Sequence, residues 1–367
     1  MRLSGNSLFL KYQDRFDSLL QTLRTTLEPV SSVADASKLL MFIESSVNAK
    51  NIVPAYYRSQ APFMLDTAAL TRYVDNERQM VATADKNKQT PFMVRVKELQ
   101  IDRLRVIFNK LSVTVESQQA AVKSLLEKII VSNKEGPEFL RYTLYKISSN
   151  LSTDCQEEFF NEMDEGHPLK LARVTCGLHS SMKELGDLIK AQFCKQCPLC
   201  IPKAAELGLS GEAFLADMGF RQKAGGSWED KSQWLARMSK MLCTYCVMML
   251  QPEQQPLSLA DAWAWLANII NLSTPKHSAT TTGTDAGPKP PFFTATALEV
   301  MLRVTAQELL RAYGDKFMSL LIIVQDVILP HMAEDAPRHA ELKTFLRVFI
   351  SSGGREFMSL FNKPLST

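Results

Sequence analysis

Two cysteine groups are the first residues whose spacing could do chemistry. Cys194, Cys197 and Cys200 give C-x2-C-x2-C, and Cys243 with Cys246 gives a further C-x2-C. A structural zinc ion wants four thiolate or imidazole ligands in a tetrahedron, which paired knuckles of this kind supply. The interval between the groups is wider than a zinc ribbon shows. The second pair also sits inside 238–249, a Met-rich run that reads as one continuous buried helix with no knuckle turn. Small apolar thiols packed in a core explain both groups. An iron–sulfur reading lacks the fourth Cys-Pro of the ferredoxin pattern.

Other catalytic chemistry finds no foothold. His167, His179, His277, His331 and His339 are scattered, with no H-E-x-x-H. There is no nucleophile elbow, Walker A loop or dinucleotide glycine pattern. A non-enzyme is expected. What remains is cationic chemistry. The stretch 86–110 carries Lys86, Lys88, Arg95, Lys97, Arg103, Arg105 and Lys110 against Glu98 and Asp102, and Arg141, Lys146, Lys190 and Lys195 follow on later segments. If those segments stack in order, their basic faces converge on a groove that would suit a multiply phosphorylated ligand. The competing explanation is a set of solvated faces with no common site.

The elements that must position these residues are helices. Only 15 glycines occur in 367 residues, most of the 17 prolines fall between periodic segments, and alternating β-branched runs are scarce. Helices are expected at 7–27, 34–49, 67–81, 118–131, 138–151, 207–219, 234–250, 257–271, 294–313, 315–329, 338–351 and 355–361, with one broken helix or two across 167–193. Pro198 stops the segment that carries Leu185, Leu188, Ile189 and Phe193 on one face. Trp263 and Trp265, two apart, point to different faces of their helix. Residues 273–291, rich in Thr and Pro, read as a disordered loop. The fold class is all-α, with stacked antiparallel pairs and no clean repeat period. Charge is balanced, 42 basic against 39 acidic residues, which argues against bulk nucleic-acid binding. Seven cysteines without a secretory signal point to a reducing compartment. The apolar run 317–329 is interrupted by Gln325 and Asp326 and is too short to cross a bilayer, so no membrane partner is expected.

A set of short runs carries a resemblance. They are 185–189 (Leu-Gly-Asp-Leu-Ile), 195–198 (Lys-Gln-Cys-Pro), 218–220 (Met-Gly-Phe), 228–230 (Trp-Glu-Asp), 237–241 (Arg-Met-Ser-Lys-Met), 263–271 (Trp-Ala-Trp-Leu-Ala-Asn-Ile-Ile-Asn) and 307–314 (Gln-Glu-Leu-Leu-Arg-Ala-Tyr-Gly). Upstream, 103–110 and 136–142 join them. In this order they resemble the C-terminal domain of the Gle-one nucleoporin family, mRNA-export mediators of the nuclear pore, over 86–361. The resemblance implies a HEAT-like fold, similar to the middle domain of translation initiation factor four G. It implies a non-enzymatic protein at the cytoplasmic face of the pore. Such a protein binds a DEAD-box RNA helicase, holds its lobes apart and stimulates its ATPase. A phenylalanine-glycine nucleoporin is the second implied partner, and in fungi inositol hexakisphosphate bridges the domain and the helicase. Two departures stand out. Residues 1–85 form a helical extension without the family's long coiled coil. Where the fungal phosphate site uses an arginine and two adjacent lysines, this chain has Gln192, Lys195 and Gln196, and Asn150 is neutral with Lys146 one turn back. Lys88, Lys97, Lys146, Lys190 and Lys195 are the remaining candidate ligands. Helicase binding with weak or absent inositol-phosphate dependence is expected. The alternative is a helical scaffold for RNA or translation factors.

Overall fold

The computed structural model describes residues 91–157, 166–200, 211–223, 225–251, 256–273 and 290–355. The expected helices at 7–27, 34–49 and 67–81, the whole 1–85 extension, all but Arg355 of the helix at 355–361 and nearly all of the 273–291 loop fall outside them. The described residues are helical, with one isolated antiparallel bridge between Gln222 and Trp228.

The helices are α1 (Pro91–Glu98), α2 (Arg105–Asn109), α3 (Val115–Glu135), α4 (Pro137–Glu157), α5 (Gly166–Ser181) and α6 (Lys183–Gln196). After them come α7 (Gly211–Asp217), α8 (Lys231–Met249), α9 (Leu259–Ser273), α10 (Thr294–Tyr313), α11 (Asp315–Ile323) and α12 (His339–Ser351). Successive helices pair, α3 on α4, α5 on α6, α9 on α10 and α10 on α11, which is compatible with the stacked-pair expectation.

Helix α8 is the axis of the bundle. It packs on α4, α5, α9 and α10. Trp234, Met238, Met241, Leu242, Tyr245, Cys246, Val247 and Met248 are all fully buried. A helix apolar nearly all round has no solvent face to keep, so it belongs inside. Each such side chain contributes about 1.5–3 kcal/mol on burial. Its start is fixed by Asp230, whose carboxylate accepts from the Gln233 amide at 2.8 Å.

Local chemistry moves several expected boundaries. Thr114 caps α3 by accepting from the Ser117 amide, so α3 starts at Val115 and not 118. It runs to Gly136, whose φ of 136° is closed to other residues, and Pro137 then opens α4 without wasting an amide. The segment 167–193 is two helices, broken at Met182 in an extended conformation. The helix expected over 315–329 stays α-helical only to Ile323. Val324–Ile328 is a π-turn and Leu329–His331 a 3-10 turn that contains Pro330, whose ring cannot continue the α-helical ladder.

Candidate functional site

The C-terminal end of α6 is where the sequence placed both the cysteines and the altered cation positions. The structure separates these two. The cysteines point inward. Cys194, Cys197, Cys200 and Cys246 are buried among apolar side chains. Cys197 Sγ donates to Met238 O at 3.5 Å, Cys246 lies against Met301 Sδ at 3.5 Å, and Cys194 meets the Tyr245 hydroxyl at 3.9 Å. Burial pushes the Cys200 and Cys246 thiols well above their ordinary values, and Cys243 up to about 12. Burial disfavours the thiolate form that a cysteine nucleophile requires. Among the described residues no group of three or more His, Cys, Asp or Glu side chains is arranged to hold a metal ion. The Cys-Pro turn is instead a packing device. The Trp265 indole N–H donates to Leu199 O at 2.9 Å, tying the turn Pro198–Cys200 to α9. Trp263, on the other face, packs on Tyr313 with centroids 4.4 Å apart.

The glutamines build a polar network that spacing alone does not foretell. Gln192 is buried and accepts from Gln196 Nε2 at 3.2 Å. Gln196 Oε1 accepts from Gln156 Nε2 at 2.6 Å. Gln156 Oε1 in turn accepts from Arg221 at 2.8 Å and Arg237 at 3.1 Å. Arg237, itself buried, also donates to Gly219 O at 2.8 Å and pairs with Glu229. Glu229 accepts from the Arg221 amide at 2.8 Å. One network therefore joins the ends of α4 and α6, the segment 219–229 and the first turns of α8. The aromatic pair Phe220 and Trp234, stacked at 4.9 Å, and the Trp234 indole bond to Met218 O at 2.8 Å hold the segment down from below. Gln156, Arg221, Glu229 and Arg237 are thus the site residues that candidate-lysine reasoning missed. Only Glu229 and Arg237 carried a sequence signal, their place in the quoted runs 228–230 and 237–241.

The five candidate lysines do not share this spot. Lys195 is exposed beside it, on the last turn of α6. Lys146 stands over the Tyr142 ring at 5.9 Å, about 15 Å earlier along α4 than Gln156. Lys190 pairs with Asp261 of α9 at 3.7 Å, both side chains largely buried. Lys97 is exposed on α1, where Arg95 pairs with Glu98 and Glu135. Lys88 lies outside the described residues. A ligand with six phosphates needs several convergent cations. Here the positions flanking Lys195 are neutral amides already bonded to each other and to Gln156.

Comparison with known proteins gives a consistent answer. A family model described as "GLE1-like protein" matches residues 78–325. The "mRNA export factor GLE1" of Danio rerio is 25% identical over 264 residues, covering 64% of this chain and 35% of that protein. Its Mus musculus counterpart is 23% identical over 290 residues, covering 76% and 38%. The Saccharomyces cerevisiae protein of the same name is 28% identical over 174 residues, covering 45% and 30%. The chain thus spans about a third of the length of these relatives. Among solved structures, one from S. cerevisiae described as a Dbp5 C-terminal domain variant bound to Gle1 and IP6 is similar with a TM-score of 0.63 at 20% identity. It covers 82% of this chain and 100% of the matched one, and it shares the fold. A second such complex with a Gle1 point variant gives the same values.

Proposed function

This chain belongs to the GLE1-like protein family, and on that premise we propose that it acts in mRNA export as a non-catalytic partner of a DEAD-box RNA helicase. The observation that carries this reading is the family match across 78–325, which spans α1 to the π-turn after α11. The fold shared with a chain from complexes titled Dbp5 with Gle1 supports a helicase as the partner. In the proposed action the rigid helical body grips one lobe of the helicase. It favours the open arrangement in which RNA and nucleotide leave, and so raises ATP turnover without chemistry of its own. A ligand that binds one state of a two-lobe enzyme more tightly shifts its population by that difference in affinity. The proposed place of action is the nuclear pore, at its cytoplasmic face, with a phenylalanine-glycine nucleoporin as second partner.

We further infer that inositol hexakisphosphate is not required. The Gln192–Gln196–Gln156–Arg237–Glu229 network supports this. Side-chain bonds already join the α4 and α6 ends to the segment 219–229, and the two arginines at this end, Arg221 and Arg237, already donate to Gln156. Steady-state ATPase of the cognate helicase with RNA, titrated with this protein with and without inositol hexakisphosphate, tests both statements. Stimulation in both arms is expected. No stimulation in either arm refutes helicase activation, and stimulation only with the inositol phosphate refutes the second statement.

A further inference from the structure

Helix α3 is apolar on two faces, and only one of them is used by the core. Ala121, Leu125 and Ile129 face inward and are buried. Val115, Val122, Leu126 and Ile130 form a second stripe, at intervals of seven, four and four residues, that lines an open groove of about 770 Å³ against α5. Val115 is 41% exposed and Ile130 56%. The two helices run parallel here. Lys170 Nζ donates to Leu111 O at 3.3 Å near their starts, and Gly177 sits against Val122 further along. A Cβ at Gly177 would lie 2.9 Å from a Val122 methyl, so glycine sets how closely the walls approach. Ser180 and Ser181 continue the α5 wall.

One polar group in this groove is unsatisfied. Arg173, on the α5 wall, has a buried Nη1 with no hydrogen-bond partner. Burial holds its pKa below the usual guanidinium range. A buried donor without an acceptor is destabilising, and an arginine fork is satisfied best by a carboxylate.

The geometry points to a docking site for an amphipathic helix of another protein, lying along α3 over Val115, Val122, Leu126 and Ile130, with an acidic residue placed to reach Arg173. The stripe is about 22 Å long, four turns of helix. Apolar residues at i, i+4, i+7 and i+11 of the occupant fill such a groove, the helix-in-groove mode of recognition. Charge complementarity decides the occupant's polar residue: the orphan in the groove is a cation, and the rim residues Lys123 and Glu127 cancel each other.

The test uses the full chain and a displayed library of helical 16-residue peptides. Enriched peptides are then synthesised and titrated by fluorescence anisotropy against the wild type, Arg173→Glu, Arg173→Met and Ile130→Glu, each checked for wild-type helicity. Enriched sequences are expected to be apolar at helical spacing with an Asp or Glu. Their affinity should fall tenfold or more with Arg173→Glu and with Ile130→Glu, and less with Arg173→Met. A peptide with Lys in place of that acid should prefer Arg173→Glu to wild type. Absence of enrichment, or binding indifferent to both positions, overturns the inference. So does a concentration-dependent dimer in sedimentation that Ile130→Glu dissolves, since a second copy would then be the occupant.

Discussion

Replacing Arg237 by methionine tests whether the polar network holds the α4 and α6 ends to the segment 219–229. The guanidinium is 9% exposed, as is the carboxylate of Glu229 that it pairs with. It also donates to Gly219 O at 2.8 Å and Gln156 Oε1 at 3.1 Å. Arg237→Met keeps much of the volume but leaves a buried carboxylate without its cation. Removing one member of a buried pair costs about 3–5 kcal/mol. With a urea dependence of about 3 kcal/mol/M, the midpoint should fall by roughly 1 M. Adding Glu229→Gln removes the stranded charge, while the glutamine carbonyl still accepts from the Arg221 amide, so the double variant should recover at least about 2 kcal/mol of the loss. Circular dichroism during urea titration of the four proteins completes the cycle. A midpoint shift for Arg237→Met under about 0.3 M, or a double-variant loss equal to the sum of the two single losses, would refute the reasoning.

Other perturbations follow from the same geometry. Gln196→Lys forfeits two amide bonds, about 1 kcal/mol each. It puts a second cation beside Lys195, so calorimetry should show inositol hexakisphosphate binding at least about tenfold tighter than in wild type; an unchanged affinity places that ligand's site elsewhere. All seven cysteines are buried or half-buried. With Cys176 and Cys243 pushed up to about 12, native protein at pH 8 should release almost no thiol signal with an aromatic disulfide reagent until denaturant is added. Leu125→Ala empties a fully buried site and should cost about 2–5 kcal/mol, whereas exposed Val113→Ala should stay within about 0.5 kcal/mol in the same unfolding assay. The Glu135 carboxyl, hydrogen-bonded by Arg95, and the Asp230 carboxyl, hydrogen-bonded by Ser232, both sit below their ordinary pKa. Their contribution is therefore complete above about pH 5 and is lost as pH falls through the unfolded and then the folded values. Asp230→Asn should flatten part of the drop in melting temperature measured below pH 4.

The helices were legible because their period and their breakers are local. Residues 294–313 were placed to the residue, since Gly314 ends α10 with a φ of 53°. The division of 167–193 was left open because Met182 carries no breaker signal, and its break comes from the extended backbone there. The π-turn at Val324–Ile328 was hidden for a similar reason. Val324, Val327 and Ile328 keep a helix-compatible spacing through it, and the change of hydrogen-bond pattern comes with Pro330 and the packing of α12. The place of Cys243 and Cys246 in a core helix is legible in their Met-rich run 238–249, whereas the inward placement of Cys194, Cys197 and Cys200 comes from the packing of the α6 end and the turn after it on α8 and α9. The candidate site was less legible. Gln156 and Arg237 are 81 residues apart, and nothing in the spacing of either joins them. Lys190 read as a free helical cation, while Asp261, which engages it, comes from α9. Such pairings depend on which helices stack, which single-sequence periodicity does not encode.

The central claim is that this helical domain activates a DEAD-box helicase by docking alone. The direct measurement is the RNA-dependent ATPase rate of the cognate helicase at saturating concentrations of this protein, with inositol hexakisphosphate present, absent or removed by a phosphatase. A several-fold stimulation that differs little among the three conditions is expected. Stimulation that vanishes without the inositol phosphate, or no stimulation under any condition, would contradict the claim.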